Sequence, residues 1–252
     1  MIRVICYFAI ACVYIYTMYY DVTKLPLLRG DSWWFKLRYL TILCAASCTC
    51  YYILCTIRAF IDDIFDTQHH TAPGRRLYRR IPSVSMPSYY EPSKLHTVCD
   101  LLYATVIFPV GVAVVVLFWG IYYVDRELVY PKHLDEIIPQ WMNQVWHTAP
   151  IPFILVDTLL VCHRYPSRSK GCSIVCVLIV LYFVNLCVTY YTHGFWIYPI
   201  FEELNTVQKA LFVGFASWCI VMIYLLGDAL NSLVWGPASH PHVYDATHPK
   251  VK

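Results

Sequence analysis

Six apolar runs, at roughly 4–20, 39–61, 98–124, 141–162, 172–193 and 207–235, occupy most of this 252-residue chain and leave few folds open to it. A run of about 20 apolar residues crosses a bilayer as a helix, whereas a barrel strand needs about 10. Inside hydrocarbon every backbone N–H and C=O must pair within the protein, so only helices and closed barrels span it. Run length therefore selects helices. The expected fold is all-α, a polytopic transmembrane helical bundle of about six spans. Composition agrees, with 59% hydrophobic and 14% charged residues where soluble domains have about 45–50% and 25%. The first run has a short basic start at Arg3, but Thr17-Met18-Tyr19-Tyr20-Asp21 follows it in place of a small-residue cleavage site. It reads as an anchor and not a removed signal.

Lysine and arginine in the loops set the orientation, because cytoplasmic loops carry the excess. In a six-span arrangement one side collects Arg3, Arg58, Arg75, Arg76, Arg79, Arg80, Lys94, Arg164, Arg168, Lys170, Lys250 and Lys252. The other holds Lys24, Arg29, Lys36, Arg38, Arg126, Lys132 and Lys209, together with most of the loop acids. Twelve against seven places both termini in the cytoplasm. The expected organisation is a membrane domain over 1–236 and a tail over 237–252, with a flexible basic cytoplasmic loop at 66–97 rich in Pro, Ser and Arg. No internal repeat is visible. The predicted location is an integral, multi-pass position in the endoplasmic reticulum, another endomembrane or the plasma membrane.

Of the twelve cysteines, most lie inside apolar runs and read as small packing residues. Cys99, Cys162 and Cys172 lie at run edges near the predicted cytoplasmic face, where reversible palmitoylation is open to them. The cysteines lack paired ligand spacing, so no metal and no cofactor is expected. The sequence has no G-x-S-x-G elbow, H-E-x-x-H, P-loop or G-x-G-x-x-G. A net charge of +3 gives no basis for a nucleic-acid partner, and none is expected. Membrane lipid is the obvious surrounding partner.

Ionisable residues within spans are functional candidates by default. Asp157 and Asp228 lie inside runs and Asp100 at the start of one, all toward the predicted cytoplasmic end. A shared polar layer with Arg58, His163 or Arg164 follows, serving either helix packing or solute passage. At the opposite end Thr41 stands near the start of the second span and His147 near the start of the fourth. Both spans run the same way, so hydroxyl and imidazole lie at similar depth and form a possible nucleophile and base. Capping by Thr41 and packing by His147 explain the same residues from spacing alone.

The segments around this pair resemble the androgen-induced gene 1 / androgen-dependent TFPI-regulating protein family. The resemblance is carried by Trp-Phe-Lys-Leu-Arg-Tyr-Leu-Thr (34–41), Phe-Pro-Val-Gly-Val (108–112), Asp125-Arg126-Glu127 and Tyr130-Pro131-Lys132. Trp141, Asn143, His147-Thr148, Tyr-Pro-Ser-Arg-Ser (165–169), Trp196-Ile197-Tyr198-Pro199 and Tyr-Leu-Leu-Gly-Asp-Ala-Leu-Asn (224–231) continue it in order along nearly the whole chain. It implies a membrane hydrolase of fatty acid esters of hydroxy fatty acids, with such a lipid ester as substrate, Thr41 as nucleophile and His147 as its histidine. Departures are a longer second loop, Gln144 where histidine is frequent, and Asp157 and Asp228 where Glu is common. Asn143, one turn before His147, or a tyrosine is left to orient the ring or bind an oxyanion. Two other readings compete: a small-solute transporter built on the aspartates, and a non-catalytic multi-pass membrane regulator.

Overall fold

The computed structural model describes residues 1–27, 32–69 and 93–235. Its helices are α1 (Ile2–Thr23), α2 (Leu40–His69), α3 (Lys94–Leu102), α4 (Phe108–Val124), α5 (Gln140–His147), α6 (Pro150–Leu160), α7 (Arg168–His193), α8 (Ile200–Glu203) and α9 (Thr206–Trp235). Among the described residues there is no strand. Five segments are long and apolar enough to cross a bilayer: α1, α2 as far as Ile64, Lys94–Val124, α7 and α9. The fourth predicted span differs. It is broken into α5 and the short apolar α6, which together make a sixth traverse of the bundle.

Proline explains both irregularities in these helices. Pro150 and Pro152 have no N–H to give to the preceding turn, so α5 stops at His147 and α6 restarts at Pro150, where proline is tolerated. Hydropathy is blind to such a break, which is why 141–162 reads as one run. Pro109 equally cannot donate to the carbonyl four residues before it. The chain widens there into a π-helical turn over Tyr103–Ile107 that joins α3 to α4, with the Phe108 N–H reaching back to Tyr103. α7 ends on Gly194, whose φ of 76° is the left-handed cap that glycine takes without a Cβ penalty.

Cross-links at the two ends show that successive traverses alternate in direction. At one end Asp62 of α2 meets Arg3 of α1 and His96 of α3, and Arg168 at the head of α7 pairs with Asp228 of α9. At the other end Asp21 of α1 pairs with Lys36, just before α2, while Arg38 donates to Thr189 near the end of α7. The first end holds a buried charge network. Asp157 accepts from Tyr7 at 2.5 Å and Tyr51 at 2.6 Å and lies 3.2 Å from Nε2 of His163. The other ring nitrogen of His163 faces Asp100 at 3.3 Å, and Arg58 donates to Asp100 at 3.0 Å. Asn231 then clasps the His163 backbone through its amide nitrogen and oxygen.

Three expectations need correction. The shared layer joins Asp100 and Asp157 through His163, but Asp228 stands apart with Arg168. The loop expected over 66–97 is shorter within the described residues, since α2 continues to His69 and α3 begins at Lys94; residues 70–92 and the tail 237–252 lie outside them. Cys99 is fully buried against the bundle, so its thiol is out of reach of acylation, whereas Cys162 and Cys172 are partly exposed.

Candidate functional site

Thr41 is set in place by the segment that precedes it. Trp33–Arg38 forms a 3-10 turn anchored to α1: the Trp33 indole donates to Asp21 at 2.7 Å, and the Lys36 ammonium, almost wholly buried, pairs with the same carboxylate at 3.0 Å. Tyr39 is extended, and α2 begins at Leu40, so Thr41 falls in its first turn. First-turn N–H groups have no partner within their own helix. That of Leu40 is satisfied from α7 and the following loop, donating to the hydroxyls of Tyr182 at 3.0 Å and Tyr198 at 2.9 Å.

His147 approaches from the last turn of α5. Its Nε2 lies 3.2 Å from the Thr41 hydroxyl. Its Nδ1 lies 2.7 Å from the side-chain oxygen of Asn143 and 3.2 Å from the Asn143 backbone carbonyl. A carbonyl only accepts, so these contacts assign the imidazole proton to Nδ1. Nε2 is then a bare lone pair aimed at the Thr41 hydroxyl, which donates to it. The Phe118 ring stacks flat on the imidazole, with centroids 3.6 Å apart and planes 10° from parallel. The Trp119 indole donates to the His147 carbonyl at 2.7 Å, just where the helix breaks. His147 is 6% exposed, so ring and tautomer are held on every side.

Two cavities flank this array. Thr41 lines an apolar one of about 420 Å³ whose walls come from α2, α4, α7, α8 and α9. Its α7 wall runs from Leu186 to Val175, and eleven residues at about 1.5 Å each make about 16 Å of depth. Asn143 lines the second, also about 420 Å³, which is polar, with Arg126, Asp135, Gln140 and Gln144 on its walls. The line Thr41–His147–Asn143 thus runs from a hydrocarbon-lined space to a polar one. Such an arrangement can deprotonate a hydroxyl beside a bound apolar chain.

The structure therefore brings Thr41, His147 and Asn143 together and leaves Asp100, Asp157 and Asp228 at the opposite end of the bundle. The break between α5 and α6 separates Asp157 from His147, and among the described residues no carboxylate is hydrogen-bonded to the His147 ring. Gln144 accepts from Thr148 at 2.6 Å and belongs to the polar cavity. Phe118, Trp119, Tyr182 and Tyr198 escape sequence reasoning as site residues. Phe118, Trp119 and Tyr198 lie between or within the segments at 108–112, 125–127 and 196–199, whereas Tyr182 sits in an apolar run with no such signal.

A 41% identical stretch of 142 residues, 56% of this chain, matches the androgen-induced gene 1 protein of Homo sapiens over 60% of its length. The androgen-dependent TFPI-regulating protein of Mus musculus is 35% identical over 144 residues, 57% of this chain and 63% of that protein. A UPF0641 membrane protein of Schizosaccharomyces pombe is 28% identical over 130 residues, half of this chain and 56% of its own. The matched stretches thus span about three fifths of these relatives. No solved structure matches. The family model described as FAR-17a/AIG1-like protein matches residues 2–232, and the chain belongs to that family of membrane proteins.

Proposed function

We propose that this protein is a membrane-embedded carboxylic ester hydrolase acting on fatty acid esters of hydroxy fatty acids, with Thr41 as nucleophile and His147 as its base. One observation carries the reading: the Thr41 hydroxyl lies 3.2 Å from an imidazole nitrogen whose partner nitrogen is held by two acceptors, at the wall of an apolar cavity. A threonine hydroxyl is a weak nucleophile until a base takes its proton as it attacks. In this scheme Thr41 Oγ1 bonds to the acyl carbon as its proton moves to His147 Nε2. The ester C–O bond then breaks, and His147 returns the proton to the departing alcohol oxygen. Water, deprotonated by the same nitrogen, cleaves the acyl-threonine, and the fatty acid leaves with Thr41 restored. Asn143 takes the place that an aspartate holds in the serine triad, as in Cys-His-Asn enzymes. The hydrocarbon chains suit the apolar cavity, and the loop charges put this end of the bundle on the non-cytoplasmic side.

A solute-transport reading has less support, because Asp100 and Asp157 are consumed by internal partners deep in the bundle. The decisive experiment uses purified protein, a fatty acid ester of a hydroxy fatty acid and a fluorophosphonate probe. Hydrolysis and probe labelling are both expected to vanish in Thr41→Ala and to fall steeply in His147→Ala. Undiminished hydrolysis by both variants overturns the proposal.

A further inference from the structure

Attack on an ester carbonyl places negative charge on its oxygen, and an apolar cavity offers little to stabilise it. Preorganised donors aimed at that oxygen are commonly the largest single contribution to acyl-transfer catalysis. Resting on the hydrolase reading above, we infer that Tyr198 is a further catalytic residue, its phenolic O–H donating to the oxyanion formed when Thr41 attacks the ester.

Three observations lead there. Tyr182, Tyr198 and Thr41 line the same cavity. Both tyrosine hydroxyls meet the N–H of Leu40, the residue next to the nucleophile, and the two phenol oxygens are 2.9 Å apart. Counting protons then singles out one of the pair. The Arg38 carbonyl, 3.2 Å from the Tyr182 hydroxyl, is the fixed acceptor for the Tyr182 proton. With that bond made, the Tyr198 proton has only the neutral oxygen of Tyr182 as its partner among the described residues. If Tyr182 donates to Tyr198 instead, the Tyr198 proton is wholly free. Either way it is Tyr198 that can turn its O–H toward a ligand by rotation about one bond, with no other atom moving. A hydrogen bond to an oxyanion is about twice as strong as one between neutral groups, so the ligand wins the proton from Tyr182.

The surroundings favour the same role. Burial pushes the Tyr198 phenol up to about 12, so it stays protonated and a donor across the working pH range. Its ring is braced edge-on against Tyr39 at 6.0 Å, and Pro199 opens α8 directly after it. Thr41 lies in the first turn of α2, where the helix dipole also favours negative charge. In the attack the Thr41 Oγ1–carbon bond forms, the carbonyl π pair moves to oxygen, and that oxygen accepts the Tyr198 O–H. On collapse the C=O reforms, the bond to the alcohol oxygen breaks, and the Tyr198 proton returns to Tyr182 or the open cavity.

The test compares full-length wild type, Thr41→Ala, Tyr182→Phe and Tyr198→Phe on a fatty acid ester of a hydroxy fatty acid and on its thionoester, whose sulfur accepts hydrogen bonds poorly. Tyr198→Phe is expected to lose roughly 10²–10³-fold in kcat on the ester, with KM and melting temperature nearly unchanged and the preference for ester over thionoester collapsed. Tyr182→Phe is expected to keep that preference. Wild-type turnover by Tyr198→Phe overturns the inference, as does an equal loss on both substrates, which marks a merely structural bond. If Thr41→Ala hydrolyses as well as wild type, the nucleophile assignment fails first and takes this inference with it, a result distinct from any behaviour of Tyr198.

Discussion

Nδ1 of His147 and the side-chain oxygen of Asn143 stand 2.7 Å apart on successive turns of α5, and this contact decides which nitrogen of the ring is basic. Once His147 has taken a proton, Asn143 holds an imidazolium, and a hydrogen bond to a charged group is worth about 1.5–3 kcal/mol. The Asn143 backbone carbonyl remains as a second acceptor when the side chain is removed. Asn143→Ala is therefore expected to cut kcat by roughly 10–100-fold at nearly constant KM, since each 1.36 kcal/mol is tenfold in rate. Asn143→Asp keeps an acceptor and adds charge that favours the imidazolium, so it is expected to retain turnover well above the alanine variant. Steady-state kinetics on the purified enzymes decide it; equal losses in both variants would speak for packing.

At the far end of the bundle His163 plays a structural part, with a carboxylate facing each ring nitrogen and the Tyr103 ring stacked 3.6 Å from its own. With Arg58 on Asp100 and the Tyr7 and Tyr51 hydroxyls on Asp157, the group ties α1, α2, α3 and α6 together. Removing one member of a buried pair strands the others, at a cost of about 3–5 kcal/mol. His163→Ala is expected to lower the melting temperature in detergent strongly, while Asp157→Asn, which keeps an oxygen for Tyr7 or Tyr51, lowers it less. A His163→Ala protein that melts with wild type would remove the network from the account of stability.

The same histidine predicts a pH dependence. Burial works against charging the His163 ring, but Asp157 and Asp100 outweigh it and hold its pKa above the ordinary histidine value. A group raised in the folded state contributes stability that is fully present below its unfolded pKa of about 6.5. That contribution is lost as pH rises through the raised folded value. The melting-temperature gap between wild type and His163→Gln is expected to be widest in mild acid and to narrow as the solution becomes alkaline. A gap that widens with pH would mean that the ring is neutral in the folded protein.

Run length and hydropathy made the helical bundle legible, because hydrocarbon admits so few backbone solutions. The pairing of Thr41 with His147 was legible in part, since both lie near the start of spans that run the same way. What counting residues could not supply was contact across the chain. Leu40 meets Tyr198 over 158 positions, and Phe118 covers His147 only because α4 packs against α5. Asp228 looks equivalent to Asp157 in depth, yet the rotation of α9 turns it toward Arg168. Asn143 was within reach of sequence reasoning because one helical turn is a local distance.

Close packing of α7 on α9 gives a prediction independent of catalysis. A Cβ added at Gly171 would fall on the hydroxyl and ring of Tyr224, which is fully buried and has no room to swing aside. Small residues at helix interfaces allow this approach in membranes, where packing rather than water drives association. Gly171→Ala is expected to destabilise by about 1–3 kcal/mol, the usual range for overpacking. The Tyr224 hydroxyl has no hydrogen-bond partner among the described residues. Tyr224→Phe alone is thus expected to be neutral or stabilising. Because it also removes the nearest obstruction, the double variant is expected to recover part of the Gly171→Ala loss. Thermal unfolding of the four proteins gives the coupling directly; strict additivity would mean that the added methyl group is accommodated elsewhere than against Tyr224.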